Sequence, residues 1–402
     1  MNPTHRRKFL CQAASTGLGF WAMAGNGSCA AEPKVAETRL HTVTLEGTPH
    51  ERGLVHGKSL KEPIHELLKL WKADLAERYR MDAGAFVKKF LQRTDFTAAI
   101  KKWTPDLLEE VNGIAKGAGV DFDTMLAFQL VDEYWVHGSG VAGEHCSSLG
   151  VARRDDQPGY VAQTMDLEGF RNGFQAVLHI RQPNAKLETF VLTCAGLIGL
   201  NGLNSRSIGV CCNTLSQLAF CGDGLPVACV VRGLLQQDTE DAALDFLRRI
   251  KHASGQNYVI GGPDKVYDFE CSAGKVSRFT PKTGPDVVWH TNHPLANDDY
   301  NAAHREAMKK KETAKKEANS RVRLPALESR LGKDKVVPDL NLIKTILSSK
   351  DSAEYPVCRP HRNPKDNFTF ASVIMDLSAK PSFQVAPGPA DVQPYRTLKF
   401  SQ

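Results

Sequence analysis

Gly143-Glu144-His145-Cys146-Ser147-Ser148-Leu149-Gly150 sets a thiol at the junction of two kinds of sequence. Before it the chain reads as helices; after it, apolar and polar residues alternate in short runs separated by turns. The first full run past Pro158-Gly159 is Tyr160-Val161-Ala162-Gln163-Thr164-Met165-Asp166. A Cys opening a strand at the edge of a β-layer becomes a chain's first residue if the bond before it is cut. Its freed α-amine, with an ordinary pKa of about 7.7–8.0, can then deprotonate its own thiol near neutral pH. A lone Cys among strands is otherwise a small apolar core residue, so the flanking sequence has to decide.

Composition bounds the answer. The 402 residues are 42% hydrophobic and 24% charged, an ordinary globular balance long enough for two domains or one large layered domain. A net charge of +6, with the basic residues dispersed, excludes nucleic acid as an expected partner. Thr4-His5-Arg6-Arg7-Lys8-Phe9-Leu10 reads as a twin-arginine export motif, followed by a mildly apolar segment to Met23. Cutting after Ala30 or Ala31 is expected to leave a periplasmic or secreted product. The segment is too short and too interrupted by Gly17, Gly19, Gly25 and Gly27 for a stable membrane span. Beyond the leader lie Cys146, Cys194, Cys211, Cys212, Cys221, Cys229, Cys271 and Cys358, with no C-x-x-C among them. No H-E-x-x-H, Walker loop or dinucleotide fingerprint is present, so no metal or cofactor is expected.

Residues 40–45 alternate as a strand, and Gly47-Thr48-Pro49 turns into a helix expected to run to about Arg80. Gly53 and Gly57 share one face of it, which predicts close packing on a sheet. Pro105 opens a helix closed by Gly117-Ala118-Gly119, and 121–135 reads as another. Strands are expected at 160–166, 174–181, 188–194, 207–213, 256–260, 265–271 and 275–279, interrupted by one helix over 238–250. Residues 305–324, with Lys309-Lys310-Lys311 and Lys315-Lys316 among glutamates, read as a helix with a solvated charged face. A short helix at 339–349 and strands near 368–376 and 382–385 complete the chain. Helices, sheets, helices and terminal strands in that order predict an α/β layered sandwich without βαβ alternation.

Six ordered blocks resemble the isopenicillin-N acyltransferase family of self-processing N-terminal-nucleophile (Ntn) hydrolases. They are residues 47–57, residues 109–119, Cys146-Ser147-Ser148 with Gln163-Thr164-Met165-Asp166, residues 196–205, His290-Thr291-Asn292-His293, and Tyr355-Pro356-Val357-Cys358-Arg359. The resemblance implies a four-layer αββα fold, self-cleavage before the nucleophile, and amide hydrolysis or acyl transfer. The chain then divides into a signal peptide at 1–30, a mostly helical segment at 31–145 and a catalytic segment at 146–402, the last two staying associated after cleavage. His145 stands where the family commonly has Gly, and its narrower backbone freedom bears on the processing rate.

Carried across, Cys146 is the nucleophile and its α-amine the proton shuttle. Asp166 holds the ammonium, and Asn292 is the leading oxyanion donor, with Asn213 a second candidate. Arg359 either lowers the thiol pKa or binds an anionic group. The expected substrate is a small N-acyl amide or peptide. Two other readings remain open: an unprocessed thiol peptidase pairing Cys146 with His290 or His293, and a non-catalytic binding protein on the same fold.

Overall fold

The computed structural model describes residues 37–138, 146–182, 186–333 and 337–401. The expected leader at 1–30 and His145, the residue before the expected cut, lie outside them. The N-terminal part holds strand β1 (His41–Leu45) and helices α1 (Pro49–Ser59), α2 (Lys61–Tyr79), α3 (Ala83–Gln92), α4 (Phe96–Trp103), α5 (Pro105–Ala118), α6 (Phe122–Phe128) and α7 (Val131–Gly138). Strands follow: β2 (Ser147–Val151), β3 (Tyr160–Glu168), β4 (Gln175–Gln182), β5 (Leu187–Cys194), β6 (Asn201–Asn204) and β7 (Gly209–Thr214). Helices α8 (Val227–Leu235) and α9 (Glu240–Arg249) precede β8 (Gln256–Gly261), β9 (Val266–Cys271), β10 (Val276–Phe279) and β11 (Val287–His290). The last elements are α10 (Ala302–Lys309), α11 (Thr313–Lys316), α12 (Ala318–Leu331), α13 (Leu340–Leu347), β12 (Asn367–Asp376), β13 (Ser382–Ala386) and β14 (Arg396–Lys399).

Two sheets result, ordered β1-β4-β5-β6-β7-β8-β9-β10 and β11-β2-β3-β12-β13-β14. Their inner faces meet closely at Gly150 on β2, where an added Cβ would lie 3.0 Å from side-chain atoms of Val259 and Val288. Outside the six-stranded sheet, Leu149, Trp289 and Ile374 are sealed by Leu327, Leu331, Ile343 and Leu347 of α12 and α13. Helices α1 and α8 contact strands β1, β6 and β7 of the other sheet. Helix, sheet, sheet, helix: this is the αββα sandwich. Each fully buried Leu, Ile or Phe in its layers contributes about 1.5–3 kcal/mol.

Local chemistry explains the helix starts. Thr48 makes a capping box with Glu51, Pro49 takes the first turn of α1, and Gly119, at φ 73°, ends α5 in the left-handed conformation. The expected helix over 49–80 breaks at Leu60 into α1 and α2, and 121–135 divides into α6 and α7. Gly53 and Gly57 pack on α5, not on a sheet. Side chains there would collide with the backbone of Glu110 and Ile114, at 2.0 and 2.3 Å, and Gly113 and Gly117 answer from the other helix. Helix α8 escapes the sequence reading because all of its residues are buried, which leaves no polar face to mark a period. The expected 305–324 helix is three pieces, and the last, α12, runs through Pro325 to Leu331. No helix among the described residues is long and apolar enough to cross a membrane.

Candidate active site

Strand β2 pairs on one side with β3 (Ser147↔Thr164) and on the other with β11 (Ser148↔His290). That register fixes what surrounds Cys146, the residue just before β2. Its Sγ lies 3.6 Å from Met165 Sδ and 3.9 Å from the carbonyl oxygen of Asp166. Beyond β3, strand β12 sets Thr369 opposite Asp166, and the pairing then slips so that Ala371 faces Met165. The bulge brings the Thr369 hydroxyl onto Asp166 Oδ1 at 2.7 Å. Thr369 Oγ1 also accepts the Arg359 main-chain N–H at 2.9 Å, and Arg359 Nε stands 3.6 Å from Asp166 Oδ2. Asp166 therefore meets Cys146 through its main-chain oxygen and Arg359 through its carboxylate, which sets Arg359 against Asp166 rather than against the thiol.

Asn292, in the turn after β11, joins them through a residue the sequence reading passed over. Arg323 of α12 is fully buried. Its Nη1 donates to the Cys146 carbonyl oxygen at 2.5 Å and to Ser147 Oγ at 2.8 Å, and its Nη2 donates to Asn292 Oδ1 at 2.9 Å. Three residues earlier, Ser320 Oγ accepts the Asn292 main-chain N–H at 2.7 Å. Asn292 Nδ2 donates to the Thr214 carbonyl at 3.1 Å. With its oxygen on a pure donor and its nitrogen on a pure acceptor, the amide is fixed in orientation, and one N–H remains to give. The basic segment read as a solvated face thus contributes two buried residues to the site. The signal that could have found them is the spacing Ser320–Arg323, one turn apart on a face that also carries Leu327 and Leu331.

Burial governs the charges. It pushes the Cys146 thiol well up, with the Asp166 carboxylate adding to the effect and Arg323 opposing it. Burial likewise lifts Asp166 to about 7, against the pull of Arg359, Thr369 and Arg323. Burial lowers Arg323 to about 10. While a peptide bond joins Cys146 to His145, the thiol is held neutral.

Asn213 is placed differently. Its neighbours Cys212 and Thr214 line the cavity beside Cys146, whereas Asn213 Oδ1 accepts from Ser148 Oγ at 2.5 Å on the other face of β7. It supports strand β2 and does not face that cavity. Neither histidine meets the thiol. His290 spends both ring nitrogens, on Glu270 Oε1 at 2.9 Å and on the Thr291 carbonyl at 2.7 Å. His293 Nδ1 bonds Ser320 Oγ at 2.7 Å, and burial lowers its pKa to about 3. All eight cysteines described are free thiols, and no group of three or more potential metal ligands occurs among the described residues. The cavity at Cys146 measures about 40 Å³ and is walled largely by apolar side chains. Hollows of about 270 and 650 Å³ open on the N-terminal helical layer, but neither touches Cys146.

Residues 152–389 match the family model of acyl-coenzyme A:6-aminopenicillanic acid acyl-transferase. The chain belongs to that family. The match starts just past Cys146. A curated relative, the acyl-coenzyme A:6-aminopenicillanic-acid-acyltransferase 40 kDa form of Emericella nidulans, is 24% identical over 257 residues, covering 63% of this chain and 70% of its own. The protein dcd1A of Dictyostelium discoideum is 27% identical over 124 residues, 27% of this chain and 28% of its own. Two solved structures are similar at 12% identity and a TM-score of 0.35 over 63% of this chain: a mutant conjugated bile acid hydrolase from Clostridium perfringens, 97% covered, and the penicillin V acylase of Agrobacterium tumefaciens, 86% covered. The two-sheet sandwich described above is thus that of a member of the acyl-transferase family.

Proposed function

We propose that the chain is exported, cuts itself between His145 and Cys146, and then uses Cys146 to hydrolyse or transfer the acyl group of a small N-acyl amide or peptide. The observation that carries this reading is a Cys opening a strand that is joined to the Asp166–Arg359 pair on one side and, through Arg323, to an orientation-locked Asn292 on the other.

In the processed form the α-amine of Cys146 takes the thiol proton, and Asp166 holds the resulting ammonium beside the sulfur. The thiolate attacks the amide carbonyl. Its oxygen becomes an oxyanion, which the remaining Asn292 N–H stabilises. The C–N bond breaks, the ammonium returns its proton to the leaving amine, and a thioester remains on Cys146. Water then releases the acid, or a second amine takes the acyl group. The relative's name makes the 6-aminopenicillanic acid amine one acceptor to try.

Two features support this mechanism over a Cys–His peptidase. Both candidate histidines are committed to other partners, and Asp166 reaches the sulfur with its main-chain oxygen while its carboxylate charge acts on the thiol. A protein that only binds has less use for a fully buried Asp166 with a half-buried Arg359 3.6 Å away.

Intact mass and N-terminal sequencing of the purified protein provide the test. Two fragments, one beginning at Cys146, are expected, with release of amine from a panel of N-acyl amino acids, peptides and β-lactams. Cys146→Ala is expected to give one uncut chain with no turnover. An active single chain that keeps the His145–Cys146 bond overturns the proposal.

A further inference from the structure

The cavity beside Cys146 is apolar on most sides, with Leu167, Leu200, Val227 and Val231 in its wall. Trp135 and Arg171 also line it, and each holds an enclosed N–H with no hydrogen-bond partner among the described residues, Trp135 Nε1 and Arg171 Nη2. Two such donors in one small space are unusual, because a buried N–H left unmade costs stability that a partner restores. Trp71 shows the ordinary outcome: its Nε1 donates to Tyr134 Oη at 3.1 Å.

Arg171 is held too firmly to turn elsewhere. It is 1% exposed, its Nε donates to Glu168 Oε2 at 2.7 Å, and its Nη1 points at Cys194 Sγ at 3.6 Å. The rings of Phe170 and Phe128 lie 5.1 and 5.7 Å from the guanidinium carbon. What remains, Nη2, belongs to a rigid, pre-oriented donor.

We propose that Trp135 and Arg171 determine specificity, recognising an acyl group that carries a neutral oxygen acceptor beyond the scissile carbonyl. This rests on Cys146 being the nucleophile. The acceptor is neutral, such as an amide or ketone oxygen, because Glu168 already balances the Arg171 charge. Asp132 and Asp166 border the same cavity, so a further carboxylate would meet acids on two sides. A carbonyl oxygen has two lone pairs and can accept from both donors at once.

The test uses purified processed protein and three N-acyl anilides of equal chain length, ending in methyl, primary carboxamide or carboxylate. The carboxamide chain is expected to exceed both others in kcat/KM by about tenfold or more. Trp135→Phe keeps the ring and loses the N–H; Arg171→Lys keeps the pairing with Glu168 and loses Nη2. Each is expected to shrink the carboxamide preference to about threefold or less, while the methyl chain turns over at near its native rate. If the wild-type protein handles all three alike, the two donors hold water and the inference falls alone. Preference for the carboxylate chain overturns the neutral assignment. Failure to turn over any of the three, in a chain that stays uncut, removes the proposed function and this inference with it.

Discussion

Helices α1 and α12 are both rich in polar residues, yet α1 docks by shape and α12 by polar contacts. Between α1 and α5, glycines Gly53, Gly57, Gly113 and Gly117 bring backbone against backbone. The one acid buried there, Glu110, is met by Arg232 at 2.6 Å and Arg52 at 3.4 Å. Among the described residues, Arg323 on α12 has no carboxylate within hydrogen-bond reach. Its four bonds go to Asn319 Oδ1, the Cys146 carbonyl, Ser147 Oγ and Asn292 Oδ1, all neutral. A buried charge whose hydrogen bonds all go to neutral groups, with the Asp166 carboxylate acting on it only from beyond hydrogen-bond reach, is costly, and a fold that needed α12 only as cover would be better served by an apolar residue. The α1–α5 contact serves the fold, and the α12 contact serves the site.

Breaking the first contact gives the largest expected effect. In Gly113→Leu the new Cβ would sit 2.3 Å from the His50 carbonyl oxygen, and no rotamer relieves a clash at Cβ. A loss of roughly 3 kcal/mol or more is expected, read as a lower denaturation midpoint. Any protein that still folds is expected to keep its kcat.

The second contact predicts the reverse pattern. Asn292→Ala is expected to lower kcat by on the order of a hundred-fold or more with little change in KM. Arg323→Gln removes the donor that holds the Asn292 oxygen, and a fall of roughly ten- to a hundred-fold is expected, with the denaturation midpoint moved much less than in Gly113→Leu. Because Arg323 acts through Asn292, the double variant is expected to be little worse than Asn292→Ala alone. Additive losses would place Arg323 in a separate role.

The two contacts also differ in how far the sequence reveals them. Glycines four apart announce a close helix face, and the strands from Tyr160 onward announce sheets, so the layers were legible. What α1 packs against was not, because Gly53 and Gly57 state a distance and not a partner. Cys146, Asp166, Asn292 and Arg359 stood out through ordered resemblance, although a span of sequence separates each from the next. Arg323 was hidden by composition. Lysines and glutamates around it describe solvent, Pro325 suggests a helix end, and one buried face in such a segment is outweighed by three exposed ones. Asn213 shows the opposite failure: its type fits an oxyanion donor, but strand alternation turns it from the cavity that Cys212 and Thr214 line.

A smaller effect separates the site's charge from the fold's. In the uncut chain burial holds Asp166 near pKa 7, above its ordinary 3.8, so the folded form keeps a proton the unfolded form gives up. Its contribution is complete below about pH 4 and lost as the pH rises through 7. Asp268, lifted by burial to about 8, and Glu133, lifted by burial and by Asp132 to about 8, carry the same sign. The Asp166 share is therefore the difference between uncut Cys146→Ala and the same chain with Asp166→Asn. A shallower loss of stability between pH 4 and 7 is expected in the double variant, measured by urea denaturation. Equal slopes would show that Asp166 is already ionised in the uncut fold.

The smallest expected change lies at the junction. Self-cleavage needs the Cys146 sulfur to reach the carbonyl carbon of His145, shifting the acyl link from nitrogen to sulfur before water frees the new N-terminus. A side chain at position 145 restricts the backbone angles open to that approach, whereas Gly does not. The Arg323 bond to the Cys146 carbonyl oxygen at 2.5 Å fixes only the far side of the residue. Freedom at 145 is thus the variable that remains. His145→Gly is expected to cut at least as fast as the native chain and by no more than several-fold faster, followed as loss of precursor with time. Once cut, position 145 is no longer attached to the nucleophile, so kcat of the processed variant is expected to equal the native value. Slower cutting in His145→Gly would mean that the imidazole itself takes part in the cleavage.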